Sequence, residues 1–389
     1  MKPPPKLPLL LDGDGSFSVE DCPGLWALDH PEAVVEAQKR RLLAGCDVFV
    51  APTGGLSRER LAARGFEDRV AELNGEAVRR TRAVVGDGRV AGCILADPPV
   101  SEESDLPARR ESSYREQAQA LCDAGVDLLL CARMPTLAEA RAALLAVRPL
   151  DLPVFVTLEV GTGEDSLSDP PLLPAVVVLQ SLGVCGVGLS GAVPPSALVE
   201  PIMEALPYAE VPLIAMPGSG DGKAALSPLR FAEGMEDLLD AGASIVGCQE
   251  GGSAEHLAVV RGVIDRHPTV APREIDTDAV AVEREALFLS EDLEVGDPLP
   301  CDSDLADRLI EAEETGNAAL LLIAGPGDVD NLVEFGGMSR LPIILHADHA
   351  VLLDDALRRF PGRLLVDTLC EIDRPLLEDI AARYGAMLY

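Results

Sequence analysis

Four times along this chain a helical stretch closes on a small or aliphatic residue and a glycine, and an apolar run starts at once. The four junctions are Ala44-Gly45-Cys46-Asp47-Val48, Ala124-Gly125-Val126-Asp127-Leu128, Leu182-Gly183-Val184-Cys185-Gly186 and Ala241-Gly242-Ala243-Ser244-Ile245. A glycine there ends the helix in a left-handed turn and feeds the chain directly into a buried parallel strand. Strand-like runs cover residues 7–12, 47–51, 90–96, 127–131, 154–158, 186–190, 212–216 and 244–247. Helical periods lie between them, as at 31–44, 113–124, 137–147, 196–206 and 228–241. Eight strands, each followed by a helix, within about 270 residues predict an α/β fold, a closed (β/α)8 TIM barrel. A doubly wound open sheet is the alternative.

The rhythm then breaks. Residues 268–278 carry two prolines among polar residues and read as a linker between a barrel of 1–267 and a second domain of 279–389. In the second domain strand-like runs return at 318–324, 342–346, 363–367 and 386–389, about half of what a barrel needs. Such a half barrel leaves apolar strand faces open. It is expected to pack on the first domain, on another copy of the chain, or on residues missing from the sequence.

Charge narrows the partners. Asp and Glu number 65 against 32 Lys and Arg, a formal charge of -33, which repels nucleic acid and anionic membrane surfaces. Aromatic residues make up 3% of the chain, too few to suggest stacking platforms for bases. Nine cysteines stand singly, without a Cys-x-x-Cys pair, and read as buried thiols of a reducing compartment. No apolar run approaches the roughly 18 residues of a membrane helix, so a cytoplasmic protein is expected.

Particular residues carry a resemblance. Leu9-Leu10-Leu11-Asp12-Gly13 opens the first strand, followed by Leu25-Trp26, His30-Pro31-Glu32 and the segment from Glu36 to Val48. Gly65-Phe66-Glu67-Asp68-Arg69 through Asn74 comes next, and Ala254-Glu255-His256-Leu257 stands near the barrel's end. In order and spacing, residues 7 to 266 resemble the homocysteine S-methyltransferase family. Residues 356–363, with Tyr384-Gly385-Ala386, resemble the pterin-binding barrel that follows this module in cobalamin-dependent methionine synthases.

The resemblance implies a zinc ion held by three thiolates, one at the end of strand six and a pair at the end of strand eight. Zinc there would lower the homocysteine thiol's pKa and present a thiolate to the methyl donor. In this chain those three positions hold Gly191, Gln249 and Glu250. Cys248 and Glu250 are the nearest remaining donors, and Cys185 lies inside strand six. Two donors do not make a zinc site, so no metal is expected and Cys248 and Cys185 read as small buried apolar residues.

Other positions at the implied mouth have changed as well. Ala132-Arg133-Met134 replaces a Glu-Thr-Phe, and Ser16-Phe17 replaces a Gly-Thr, whereas Asp12, Gly13, Thr53 and Gly55 persist. These four and Arg133 are the substrate-binding candidates. Arg133 in place of a carboxylate turns the mouth toward anionic groups. Asp12 either binds a polar ligand or caps a loop. In the second domain the implied pterin-holding positions are Leu321, Ile323, His346 and Asp367-Thr368, so no folate site is expected. His346-Ala347-Asp348-His349 is a dense cluster of possible metal ligands, but adjacent side chains at a strand end point in different directions, so it reads as a solvated turn or helix cap and not as a shared metal site. Gly218 to Gly222 reads as a flexible loop after strand seven, a place where barrels also bind anions.

Three functions stay open. One is a non-catalytic or partner protein of methyl and methionine metabolism. The second is an active homocysteine methyltransferase with a rebuilt or metal-free site. The third is a barrel repurposed for another small molecule in corrinoid-linked methyl transfer. The partners implied are a small molecule at the barrel mouth, a corrinoid or methyl-transfer protein, and further copies of the chain.

Overall fold

The computed structural model describes residues 6–13, 22–98, 106–161, 170–220, 225–249, 252–268, 275, 278–290, 293–314 and 316–389. Its chain divides into two compact units, Met1–Leu172 with Val184–Arg273, and Leu173–Gly183 with Glu274–Tyr389. Of the expected linker 268–278, only residues 268, 275 and 278 fall among those described.

Eight parallel strands build the first unit: β1 (Leu9–Leu10), β2 (Val48–Ala51), β3 (Arg89–Leu95), β4 (Leu128–Met134), β5 (Val154–Glu159), β6 (Gly186–Gly191), β7 (Leu213–Pro217) and β8 (Ala243–Val246). They form one sheet in the order β1-β8-β7-β6-β5-β4-β3-β2. The two end strands meet as well. Leu11 bridges to Val48 in parallel, Asp47 N–H donates to Leu10 O at 2.8 Å, and Asp12 N–H donates to Val48 O at 3.1 Å. The sheet therefore curls into the barrel that the strand count predicts.

The chain's helices are α1 (Pro23–Asp29), α2 (Pro31–Leu43), α3 (Arg58–Ala62), α4 (Val70–Val85), α5 (Leu106–Asp123), α6 (Leu137–Val147), α7 (Leu172–Ser181), α8 (Ser196–Ala205), α9 (Pro228–Asp240) and α10 (Ala254–Ile264), then α11–α14 in the second part. The junction glycines do what their spacing implies. Gly45, Gly125, Gly183 and Gly242 all have positive φ, between 80° and 114°, and each donates its N–H to the carbonyl three residues back. Two junctions add an aspartate that ties the incoming strand to its neighbour. Asp47 Oδ2 accepts from Leu10 N–H at 2.8 Å, and Asp127 Oδ2 accepts from Val90 N–H at 2.8 Å.

Aliphatic side chains fill the barrel, among them Leu9, Leu11, Val48, Val50, Cys93, Leu130, Ile214, Met216 and Ile245, with Phe155 as their aromatic member. Strand β6 contributes backbone where its neighbours contribute side chains, because a Cβ on Gly188 would overlap the Ile214 carbonyl of β7. No helix among the described residues is long and apolar enough to cross a membrane.

In the second unit β11 (Leu299–Pro300), β12 (Ala319–Leu322), β13 (Ile343–His346), β14 (Leu365–Val366) and β15 (Met387–Leu388) form a parallel sheet in sequence order. With it come α11 (Leu305–Ala312), α12 (Pro326–Phe335), α13 (Ala350–Arg359) and α14 (Arg374–Tyr384). An antiparallel ribbon, β9 (Ala279–Ala281) with β10 (Ala286–Phe288), precedes the sheet. Ribbon residues Val280 and Leu287, with Leu289 just beyond, pack against Leu320, Ile344, Leu365 and Met387. The apolar strand face that the sequence left open is thus covered, at least along this row, by residues of the same unit. The sequence reading missed the ribbon because its strands are only three residues long.

Candidate functional site

In a (β/α)8 barrel, ligands meet the C-terminal ends of the strands. There the persisting positions turn out to hold the barrel together. Asp12 is buried, and the alternation that points Leu9 and Leu11 inward turns it toward the helices. Its Oδ1 accepts from Val50 N–H at 2.8 Å, and its Oδ2 lies 3.6 Å from Arg41 of α2. The adjoining Cys46 thiol is pushed up, first by burial and then by the Asp12 charge. Thr53 is fully buried and fastens β2 to β3, donating its hydroxyl to Cys93 O and accepting from Cys93 N–H, both at 2.8 Å. Gly13 has φ 142° and sits so close to the Cys248 carbonyl and Arg41 that a Cβ would be 3.4 and 3.5 Å from them. Gly55, at φ 80°, offers its carbonyl to the Cys22 thiol at 2.9 Å. Ser16 and Phe17 lie outside the described residues.

Arg133 is different. It is one of two non-glycine residues with positive φ among those described, at 57°, and it stands in the irregularity of β4 between Cys131 and Met134. A side chain held there is strained, a condition that clusters at binding sites. Its N–H donates to Thr157 Oγ1 at 3.1 Å, and the Thr157 and Ser190 hydroxyls, both buried, lie 2.9 Å apart. Its guanidinium donates through Nε and Nη2 to Glu159 Oε1 at 2.9 and 2.7 Å. Glu159 ends β5 and was not singled out in the sequence. It balances the charge that Arg133 brings, so the mouth carries a pair and not the lone cation expected.

Two of the three implied zinc positions, Gly191 and Gln249, are among the described residues. A Cβ on Gly191 would overlap the Val160 carbonyl oxygen, leaving no room for a thiol on this backbone. Gln249 presents a side-chain amide; its backbone N–H donates to Pro217 O at 2.9 Å, and its buried Oε1 has no hydrogen-bond partner among the described residues. Glu250 lies outside those residues. Gly247 faces Leu11 and Met216 in the interior, so Cys248 points the other way, where its Sγ occupies the space a Cβ on Gly252 would need. These residues do not fit a three-thiolate zinc centre. Cys185, expected buried inside β6, instead precedes that strand and is exposed, and Cys122 is only half-buried.

A buried polar network on the helical side of β3 and β4 was also missed. The Ser57 hydroxyl bonds Asp97, Asp97 N–H donates to the Tyr114 hydroxyl at 3.1 Å, and Tyr114 and Arg110 both reach Glu139. Burial raises the Asp97 carboxyl above its usual range, partly offset by Ser57. One signal for it was readable, since Thr136-x-x-Glu139 has the spacing of a helix-capping box and Thr136 Oγ1 does accept from Glu139 N–H at 3.1 Å.

In the second unit His346 and Asp348, two residues apart, come together. The His346 ring lies between two carboxylates, 2.7 Å from Asp367 Oδ2 and 3.3 Å from Asp348 Oδ1. His349 takes the N-cap position of α13. Leu321 and Ile323 are buried. Of the loop at 218–222, residues 221 and 222 lie outside the described residues.

Comparison with known proteins agrees with this architecture. The methionine synthase of Mycobacterium leprae is 24% identical over 277 residues, covering 65% of this chain and 23% of that protein. Betaine–homocysteine S-methyltransferase 1 of Mus musculus is 29% identical over 185 residues, covering 45% of this chain and 44% of that protein. The chain therefore spans less than half the length of either relative. The homocysteine methyltransferase MmuM from Escherichia coli, in its metallated form, superposes with a TM-score of 0.54 at 21% identity, over 65% of this chain and 95% of that one. At that identity the match speaks for the fold. The homocysteine S-methyltransferase family model matches residues 9–264, about two thirds of the sequence, and so the chain belongs to the homocysteine S-methyltransferase family.

Proposed function

We propose that this chain is a homocysteine S-methyltransferase-family protein that does not carry out zinc-dependent methyl transfer and serves methyl or methionine metabolism as a non-catalytic or partner protein. The observation that carries this reading is the Val160 carbonyl, which occupies the space a side chain on Gly191 would take. Cys248 turned toward Gly252, and an amide at position 249, support it from the other side of the mouth. Without a Lewis acid at the thiol, the shift that makes homocysteine a thiolate near neutral pH has no source among these positions.

A second reading has its own support. The Arg133–Glu159 pair is partly exposed, 30% and 36%, on a strained backbone at the strand ends. A polar small molecule could be held there without metal, which fits a repurposed barrel. Zinc analysis of the purified protein, with a calorimetric homocysteine titration, tests the proposal. The expected result is substoichiometric zinc and no heat. One zinc per chain, removable by chelator and needed for homocysteine binding, would overturn it.

A further inference from the structure

In this acidic chain the charge balance reverses in a groove of the first unit. It is lined by α1, by the connection at residues 64–69 and by α4, and encloses about 640 Å³, within the range of small-molecule sites. Four arginines line it, Arg64, Arg69, Arg79 and Arg80, against three carboxylates, in a chain whose acids outnumber its bases two to one. Arg69 is held by Glu72 through two hydrogen bonds of 2.9 and 2.7 Å. Glu76 pairs with both Arg79 and Arg80, and Arg80 Nη1 also donates to Leu28 O at 2.9 Å. Arg64 is exposed and has no carboxylate partner among the described residues. Arg69, Arg79 and Arg80 are therefore held by carboxylates before any ligand arrives, and Arg64 is the cation in excess.

Aromatic surface gathers in the same place, although aromatic residues are scarce in this chain. Trp26, its single tryptophan, stacks on His30 with ring centroids 4.4 Å apart and planes 15° from parallel. Phe66 carries the Arg69 guanidinium over its ring at 5.3 Å. All three rings line the groove. Flat apolar faces beside fixed guanidinium groups recognise a planar ring carrying negative charge.

We propose that this groove binds a planar aromatic anion of mononucleotide size, its ring against the Trp26–Phe66 side and its anionic group on the arginines. None of the residues lining the groove is among the barrel-mouth candidates Asp12, Gly13, Thr53, Gly55 and Arg133.

The single tryptophan makes the test direct. AMP is titrated into the intact protein while Trp26 emission is followed with excitation beyond the adenine band. Adenosine and inorganic phosphate serve as ring-only and charge-only probes. Saturable quenching by AMP, with neither control matching it at equal concentration, is expected. Arg64→Glu with Arg79→Glu should weaken AMP binding about tenfold or more while the circular dichroism spectrum stays unchanged. Phe66→Ala should weaken it also. Three results would each overturn the proposal: no change in emission with AMP, equal quenching by adenosine alone, or undiminished AMP binding in the folded arginine double variant.

Discussion

Asp47 and Arg261 stand 214 residues apart in the chain, and Arg261 Nη1 donates to Asp47 Oδ2 at 2.8 Å. The same carboxylate oxygen accepts Leu10 N–H. One atom thus joins β1, the start of β2 and the last barrel helix, α10. Asp127 repeats the device with Val90 N–H and Arg82 Nη2, at 2.8 and 2.9 Å.

Replacing Asp47 by alanine leaves Leu10 N–H and Arg261 without this acceptor at the barrel's closure. A loss of about 1–2 kcal/mol is expected, discounted because the Asp47 side chain is 35% exposed. Chemical denaturation of Asp47→Ala and Asp127→Ala should give similar losses. An unchanged midpoint in both would show that these ties are ornamental.

Restoring thiols should not restore a zinc centre. The triple variant Gly191→Cys, Gln249→Cys, Glu250→Cys meets the Val160 carbonyl. We expect it to be destabilised by about 2 kcal/mol or more and to hold less than one zinc by elemental analysis. A triple variant with native melting behaviour and one tightly held zinc would show that the backbone around Val160 gives way easily.

Arg133 separates backbone strain from side-chain pairing. Both Arg133→Gly and Arg133→Ala remove the contact with Glu159, but only glycine adopts φ 57° without penalty. Arg133→Gly should be the more stable of the two by about 1 kcal/mol. Equal stabilities would mean that this turn carries no strain.

Asp97 gives stability a pH dependence of known sign. Burial raises its folded-state value above that of the unfolded chain, so the folded protein holds this proton more tightly. The contribution is fully present below the unfolded value of about 3.9 and is lost as pH rises through the raised folded value. Asp97→Asn stays neutral throughout. Relative to the variant, wild type should lose unfolding free energy as pH rises from about 4. Parallel curves across that window would assign the titration elsewhere.

Thiol reactivity should follow exposure. Cys185 is the exposed cysteine among the nine, whereas burial pushes the Cys131 thiol up to about 12. An aromatic disulfide reagent should label the native protein in one fast phase, and Cys185→Ser should abolish that phase. A fast phase surviving the substitution would place the reactive thiol elsewhere.

The barrel was legible in the sequence because its signals are local. Gly45, Gly125, Gly183 and Gly242 each terminate a helix by a backbone geometry that only glycine adopts cheaply, and they do so within five residues of chain. The site was less legible because its partners are distant. Nothing near Arg133 announces Glu159, 26 residues on, and nothing near Asp12 announces that its carboxylate is taken by Val50 N–H. Cys185 was misplaced because a strand's apolar run does not reveal which residue first leaves the solvent. Neighbouring residues of 346–349 were expected to diverge because a strand alternates its side chains; His346 and Asp348, two apart, share a face in that alternation, and Asp367, just past β14, lies on the other side of the ring.

The Val160 carbonyl beside Gly191 also has a consequence for the order in which such a protein can change. A side chain at residue 191 requires the connection leaving β5 to move, because its Cβ would overlap the Val160 carbonyl oxygen. A substitution there therefore needs a second adjustment of the backbone to be accommodated. The backbone at this one contact constrains residue 191, and any new chemistry at the mouth has its nearest starting point on the Arg133 side.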